Sequence, residues 1–169
     1  MSIDAPPDFT AVPAPHDWPR LSSALFYRDP AAAIDWLCRV FGFEVRLRIE
    51  AADGAIVHSE LTFGPDALVM VGAVRSAERP DASHRRSPRD VDGGNTQSLM
   101  LFVDDADAHC AHVRAEGGQV TMAPTTSDYG EDYWSDRAYE AVDLEGHRFW
   151  FVQRVRSPSK PPPRGTQPA

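Results

Sequence analysis

The stretch SSALFYRDPAAAIDWLCRVFGFEVRLRIEA, residues 22–51, decides how this chain is read. Ser22–Tyr27 is a strand-like run. Asp29 stands at a helix N-cap with Pro30 in the first turn, where a missing N–H costs nothing. Ile34, Leu37, Cys38 and Phe41 then recur at helical spacing, and Gly42 marks the helix end. The next segment, FEVRLRIEA (43–51), reads as a strand, and AIVHSELTF (55–63) and ALVMVGA (67–73) follow it as two more. Asp53-Gly54 and Gly64-Pro65-Asp66 supply the turns between them. The order is β-α-β-β-β.

Downstream the same order returns. SLMLFV (98–103) is a strand, and Asp104-Asp105 opens a helix. Ala108, Ala111, His112 and Ala115 keep helical spacing as far as Gly117-Gly118. QVTMAP, DRAYEAV and HRFWFV are three further strands, the last two joined by the turn Asp143-Leu144-Glu145-Gly146. Phe26 and Phe102, Asp29 and Asp105, and Gly42 and Gly118 share one offset. Met70 and Trp150 pair at an offset four residues longer, and the polar insertion around Ser127–Trp134 absorbs the difference. An internal repeat of this kind predicts an α+β fold built from tandem βαβββ modules.

The flanking sequence sets boundaries. Residues 1–20 and 156–169 are rich in Pro and lack periodicity, and both are expected to be disordered tails. One domain spans 21–155, with modules 21–72 and 96–155 and a polar linker at 73–95. Of 169 residues, 42% are hydrophobic and 25% charged, a normal globular mixture. The net charge of −8 excludes a phosphate-backbone partner, so no nucleic acid is expected. The basic cluster Arg85, Arg86 and Arg89 reads as a solvated, mobile loop. No apolar run approaches a membrane span, and no signal peptide is visible. Cys38 and Cys110 sit in helical patterns outside any CxxC pair, so buried free thiols and a cytoplasmic location are expected.

Two segments carry a resemblance. Asp29-Pro-x-x-Ala-Ile-Asp-Trp-Leu-x-x-Val-Phe-Gly-Phe-Glu (29–44) resembles the first helix of the vicinal-oxygen-chelate superfamily. Tyr129-Gly130, Tyr139 and Asp143-Leu-Glu-Gly-His-Arg-Phe-Trp-Phe are similar to its closing hairpin. The nearest branch holds the glyoxalase-like and bleomycin-resistance-like proteins. The resemblance implies a cup-shaped sheet, the glyoxalase/bleomycin resistance/dioxygenase fold, and a homodimer. It also places up to four metal ligands on the first and last strands of each half. Those points here are Ser22, Met70, Ser98 and Trp150, none a usual ligand for a divalent metal. Of their neighbours only Gln97 has suitable chemistry. The resemblance therefore implies no metal and no other cofactor.

If those four residues face the cup, strand alternation puts Ala24, Phe26, Leu68, Met100, Phe102 and Arg148 on the same side. An apolar, aromatic, Met-rich lining with one Arg suits an apolar or aromatic small molecule. The same lining also serves as plain filling between sheets. Tyr129, Tyr133, Trp134 and Arg137 are candidate rim contacts, in the segment that borders the cup mouth in the family. The expected ligand-binding set is Phe26, Met70, Met100, Phe102, Trp134, Arg148 and Trp150, with the catalytic residues unknown.

His58 and Glu60 share a strand face. Pairing across the Gly64-Pro65 turn is expected to oppose Ser59 to Met70, which turns both away from the cup. His147 is expected to be structural and to bond nearby backbone, and His109 and His112 to lie on a solvated helix face. The leading expectation is a metal-independent small-molecule-binding protein that sequesters a toxic or antibiotic compound. The alternative is a glyoxalase-like lyase or isomerase, or a dioxygenase, with metal ligands elsewhere. A third reading is an accessory protein whose cup is filled by its own side chains.

Overall fold

The computed structural model of the chain describes residues 10, 12–16, 18–74 and 84–160. Most of both expected tails and the middle of the expected linker lie outside these residues. The first module consists of β1 (Ser23–Tyr27), α1 (Pro30–Trp36), β2 (Glu44–Glu50), β3 (Ile56–Phe63) and β4 (Ala67–Ala73). The second consists of β5 (Ser98–Phe102), α2 (Ala106–Ala115), β6 (Gln119–Asp128), β7 (Ser135–Val142) and β8 (Arg148–Arg156). Each module closes a four-stranded mixed sheet, ordered β1-β4-β3-β2 and β5-β8-β7-β6. The first and last strands of each module pair in parallel, with Ala24 beside Met70 and Met100 beside Trp150. The repeat read from the sequence is thus a structural repeat, and the fold is α+β.

Local chemistry sets the element ends. The Asp29 and Asp105 carboxylates each accept backbone N–H groups of the helix they open. Past Trp36 the first helix widens into a π-helical turn, Leu37–Phe41, closed by Gly42 at φ 79°. This wide turn buries Leu37, Val40 and Phe41 together. In the second helix the buried residues are Ala106, Cys110 and Val113. The stripe Ala108, Ala111, His112 and Ala115 expected from spacing faces outward instead. Alanine carries too little apolar area to decide which side of a helix is buried, and Val113 with Cys110 outweighs it.

The modules meet through their helix-bearing sides. Phe41 lies edge-on to Phe149 and Phe151 of β8, with ring centroids 4.9 and 5.0 Å apart. Tyr139 stacks on Phe151 at 5.2 Å. Leu25, Tyr27, Leu61, Val69, Val71, Phe149 and Phe151 are all buried in this one shared core. Gly118 sits so close to it that a Cβ would fall 2.6 Å from Val113 and 2.8 Å from Val40.

Both helix histidines bridge the modules. His109 Nδ1 lies 2.5 Å from the Tyr139 hydroxyl and its Nε2 lies 3.1 Å from the Phe41 carbonyl oxygen. A carbonyl only accepts, so Nε2 carries the proton and Nδ1 accepts from Tyr139. His112 Nε2 reaches the Arg39 carbonyl at 3.1 Å. His112 stays exposed as expected, whereas His109 is half-buried in the seam where α2 packs against the end of the first helix.

The described part of the linker is docked. Ser87 caps a short 3₁₀ turn, Pro88–Asp90, and its hydroxyl also donates to the Glu145 carboxylate. Arg89 reaches the Leu144 carbonyl at 2.5 Å, and Arg28 pairs with Asp90 at 2.6 Å. Where the sequence suggested a mobile loop, Arg89 is thus held against the second module's closing turn, Arg85 lies over the Phe26 ring of the first module, and Arg86 bonds the Arg85 carbonyl.

Candidate functional site

Since odd-numbered core residues of β1, β4 and β8 point to the shared core, their even-numbered neighbours lie on the outer faces of the sheets. Ala24, Phe26, Met70 and Gly72 line one wall of a cavity of about 590 Å³ on the first sheet. Val57 and His58 form another part of that wall, and Arg85 closes it from the linker. The volume lies within the range of small-molecule sites. Gly72 has a local reason: a Cβ there would meet the Phe26 ring at 3.3 Å.

The register of β3 brings in residues that the sequence reading turned away. Leu61 is opposite Val69, and Phe63 opposite Ala67. The Ser59 hydroxyl donates to the Val71 carbonyl at 2.8 Å and accepts from its N–H at 2.9 Å. The expected pairing of Ser59 with Met70 is one residue out, because the Gly64-Pro65-Asp66 turn closes between Phe63 and Ala67. The correction matters, since a one-residue slip exchanges the faces of a strand. His58 and Glu60 share the face of Met70.

His58 Nε2 lies 2.8 Å from Glu60 Oε1, and Arg46 approaches Glu60 at 3.6 Å. Glu60 itself is buried. A carboxylate acceptor holds the proton on Nε2 and leaves Nδ1 as the imidazole's acceptor.

The other expected binding residues gather on the second sheet's outer face. Met100 is 62% exposed and Phe102 is 50% exposed. The Arg154 guanidinium lies over both the Phe102 and Trp134 rings, at 5.4 and 5.3 Å. Trp150 is half-buried beside Met100. Arg148, which was expected to grip an acidic group, is held by Glu140 at 2.6 Å. Among the proposed rim residues, Tyr129 and Tyr133 pack beside Trp134. Arg137 bonds Asp107 of α2, on the helix side of the sheet. Within one chain, Phe26 and Met70 thus belong to one outer face, and Met100, Phe102, Trp134, Arg148 and Trp150 to the other.

A second, adjoining cavity of about 400 Å³ shares Ala24, Phe26 and Arg85 with the first and is also lined by His84, Arg86 and His147. Its floor is braced by buried carboxylates. Asp143 accepts the Tyr27 hydroxyl at 2.6 Å and His147 Nδ1 at 2.9 Å through Oδ2, while Oδ1 accepts the Glu145, Gly146 and His147 N–H groups. His147 therefore bonds a carboxylate, where the sequence suggested backbone, and its ring leans on Tyr27 at 4.5 Å. Burial, followed by the Asp143 charge, raises the Tyr27 pKa well above its ordinary value, so the phenol stays a donor. Glu145 accepts the Arg28 N–H at 2.9 Å as well as the Ser87 hydroxyl.

A sequence profile described as the glyoxalase/bleomycin resistance protein/dioxygenase superfamily matches residues 21–151. The chain belongs to this superfamily. It is also similar to the crystal structure of TioX from Micromonospora sp. ML1, at 30% identity and a TM-score of 0.59, over 79% of this chain and 94% of that one. A superfamily member from Sphaerobacter thermophilus shares the fold at 21% identity and a TM-score of 0.58, over 79% of this chain and 95% of that one. So does a glyoxalase I mutant from Zea mays, at 19% identity and a TM-score of 0.60, over 82% of this chain and 46% of that one. No curated protein matches the chain.

The superfamily implies a metal at the points occupied here by Ser22, Met70, Ser98 and Trp150. Two hydroxyls, a thioether and an indole do not form a donor set for a divalent ion. Among the described residues, no group of three His, Cys, Asp or Glu side chains converges on a common point. The side chains at these four points do not fit a resident metal. Nor is any helix among the described residues long and apolar enough to cross a membrane.

Proposed function

We propose that this superfamily member binds an apolar or aromatic small molecule without a resident metal, and that it does so to sequester a toxic or antibiotic compound. The observation that carries this reading is the cavity over Phe26 and Met70, in which apolar side chains stand beside His58, Ser59 and Arg85. We further infer a homodimer in the cytoplasm. Among the described residues β1 and β5 are sheet edges, and Met100 and Phe102 stay exposed on the second sheet's outer face although Arg154 lies over the Phe102 ring. A second copy that covers this face removes apolar surface from water, which supports the dimer. The free thiols Cys38 and Cys110, both pushed above the ordinary thiol range mainly by burial, support a reducing compartment.

One observation favours a second reading. His58 lines the cavity, and the buried Glu60 behind it engages Nε2, which leaves Nδ1 as acceptor, the arrangement of a general base. That geometry suits a lyase or isomerase that moves a proton. A single experiment separates the two. Compounds that raise the melting temperature are incubated with the protein in D₂O and recovered for mass spectrometry. The binding reading expects unchanged, undeuterated compound, whereas deuterium uptake or a new mass assigns an enzyme. If no compound in an apolar and aromatic library raises the melting temperature, both readings fall. Sedimentation at micromolar concentration tests the dimer, and a monomer there removes it.

A further inference from the structure

The cavity over Phe26 holds a guanidinium that the described residues do not fully satisfy. Among the described residues, Arg85 Nε is the buried side-chain nitrogen left without a hydrogen-bond partner. The guanidinium carbon lies 4.7 Å over the Phe26 ring, so an aromatic face, in place of a carboxylate, anchors the cation. Other arginines behave differently: Arg28, Arg39, Arg48, Arg137, Arg148 and Arg154 each hold an Asp or Glu.

Among the described residues, three carboxylates of the surrounding elements are already committed. Glu145 accepts Ser87 and the Arg28 N–H, Asp90 holds Arg28, and Glu60 lies between His58 and Arg46. A buried donor without an acceptor is unfavourable and is rarely kept unless something supplies the acceptor.

We propose that Arg85 is an anion-recognition residue and that the cavity takes a small aromatic carboxylate. This rests on the reading of that cavity as the ligand site and adds the ligand's charge and shape. A guanidinium presents Nε–H and Nη–H side by side, spaced to match the two oxygens of a carboxylate. Behind the Arg, Phe26, Met70, Ile56 and Gly72 offer an apolar wall for a flat ring. Arg85 stands where the two cavities join, with Arg86 in the adjoining one, so two guanidinium groups lie at that end of the site despite the chain's net charge of −8. The acid end of the ligand sits at Arg85, and the ring lies toward Met70.

The test is calorimetric titration of the full chain at 0.15 M salt with three matched probes: 2-naphthoate, 2-naphthamide and 2-naphthylmethylammonium. Wild type is compared with Arg85→Gln and Arg85→Lys, each checked for an unchanged melting profile. The expected result is that wild type prefers the acid over the amide by about tenfold or more, as a charge-assisted hydrogen bond gives. That preference falls to near unity in Arg85→Gln and is only partly kept in Arg85→Lys, whose ammonium keeps the charge and loses the planar fork. If acid and amide bind equally to wild type, or the preference survives Arg85→Gln, the anion inference is overturned while the cavity reading stands. If none of the three probes binds, both fall together.

Discussion

Removing one hydroxyl, Tyr27→Phe, tests how the two modules are fastened. The Tyr27 hydroxyl donates at 2.6 Å to Asp143, whose side chain is fully buried. The bond joins the first strand of one module to the closing turn of the other, 116 residues later. The phenyl ring and its contact with His147 survive the substitution, so the loss is that of a buried hydrogen bond to a charged acceptor. Such bonds contribute about 1.5–3 kcal/mol. For a domain of this size, that lowers the melting temperature by roughly 5–11 °C. Tyr139→Phe is the control. Its hydroxyl donates to His109, a neutral acceptor, so the cost is about 1 kcal/mol. Urea unfolding of both variants gives the comparison. A Tyr27→Phe loss below about 0.5 kcal/mol, or one no larger than that of Tyr139→Phe, refutes the claim that Asp143 is a charged, buried anchor.

Two further outcomes follow from the seam between the modules. Burial is the main cause that lowers the His109 pKa below its ordinary value, so the unfolded chain takes up a proton there more readily than the folded one. The stability associated with neutral His109 is present above the ordinary histidine pKa and is lost as pH falls through it. Unfolding measured at pH 7.5 and 5.5 will show a steeper acid loss in wild type than in His109→Gln, and equal slopes contradict the assignment. Gly118→Ala will destabilise by about 1–3 kcal/mol through overpacking against Val113 and Val40. Gly42→Ala meets nothing within 4 Å and bears only the backbone strain of φ 79°, about 1–2 kcal/mol.

The fold was legible because the repeat is written in punctuation as well as in hydrophobicity. Asp29 and Asp105 mark the same helix start, and Gly42 and Gly118 the same helix end. The pairing of Met70 with Trp150, made across an insertion, matches strands β4 and β8. What was illegible depended on a single residue step or on a partner far away in sequence. The face of His58 and Glu60 hinges on the closure of one turn, which composition does not encode to within a residue. The roles of His109 and His112 depend on carbonyl oxygens of a helix some seventy residues earlier. Arg85 read as a solvated loop residue because a cation–π contact with Phe26 leaves no trace in local spacing.

The central claim is that the outer face of the first sheet binds a small molecule with no metal. The most direct measurement is amide chemical-shift mapping on protein stripped with EDTA, using the first compound that raises its melting temperature. The account predicts shifts centred on Ala24–Phe26, Met70–Ala73 and Arg85 in the stripped protein, unchanged when Zn²⁺, Mn²⁺ or Ni²⁺ is restored. Shifts that appear only after a metal is added, or that centre away from Phe26 and Met70, contradict it.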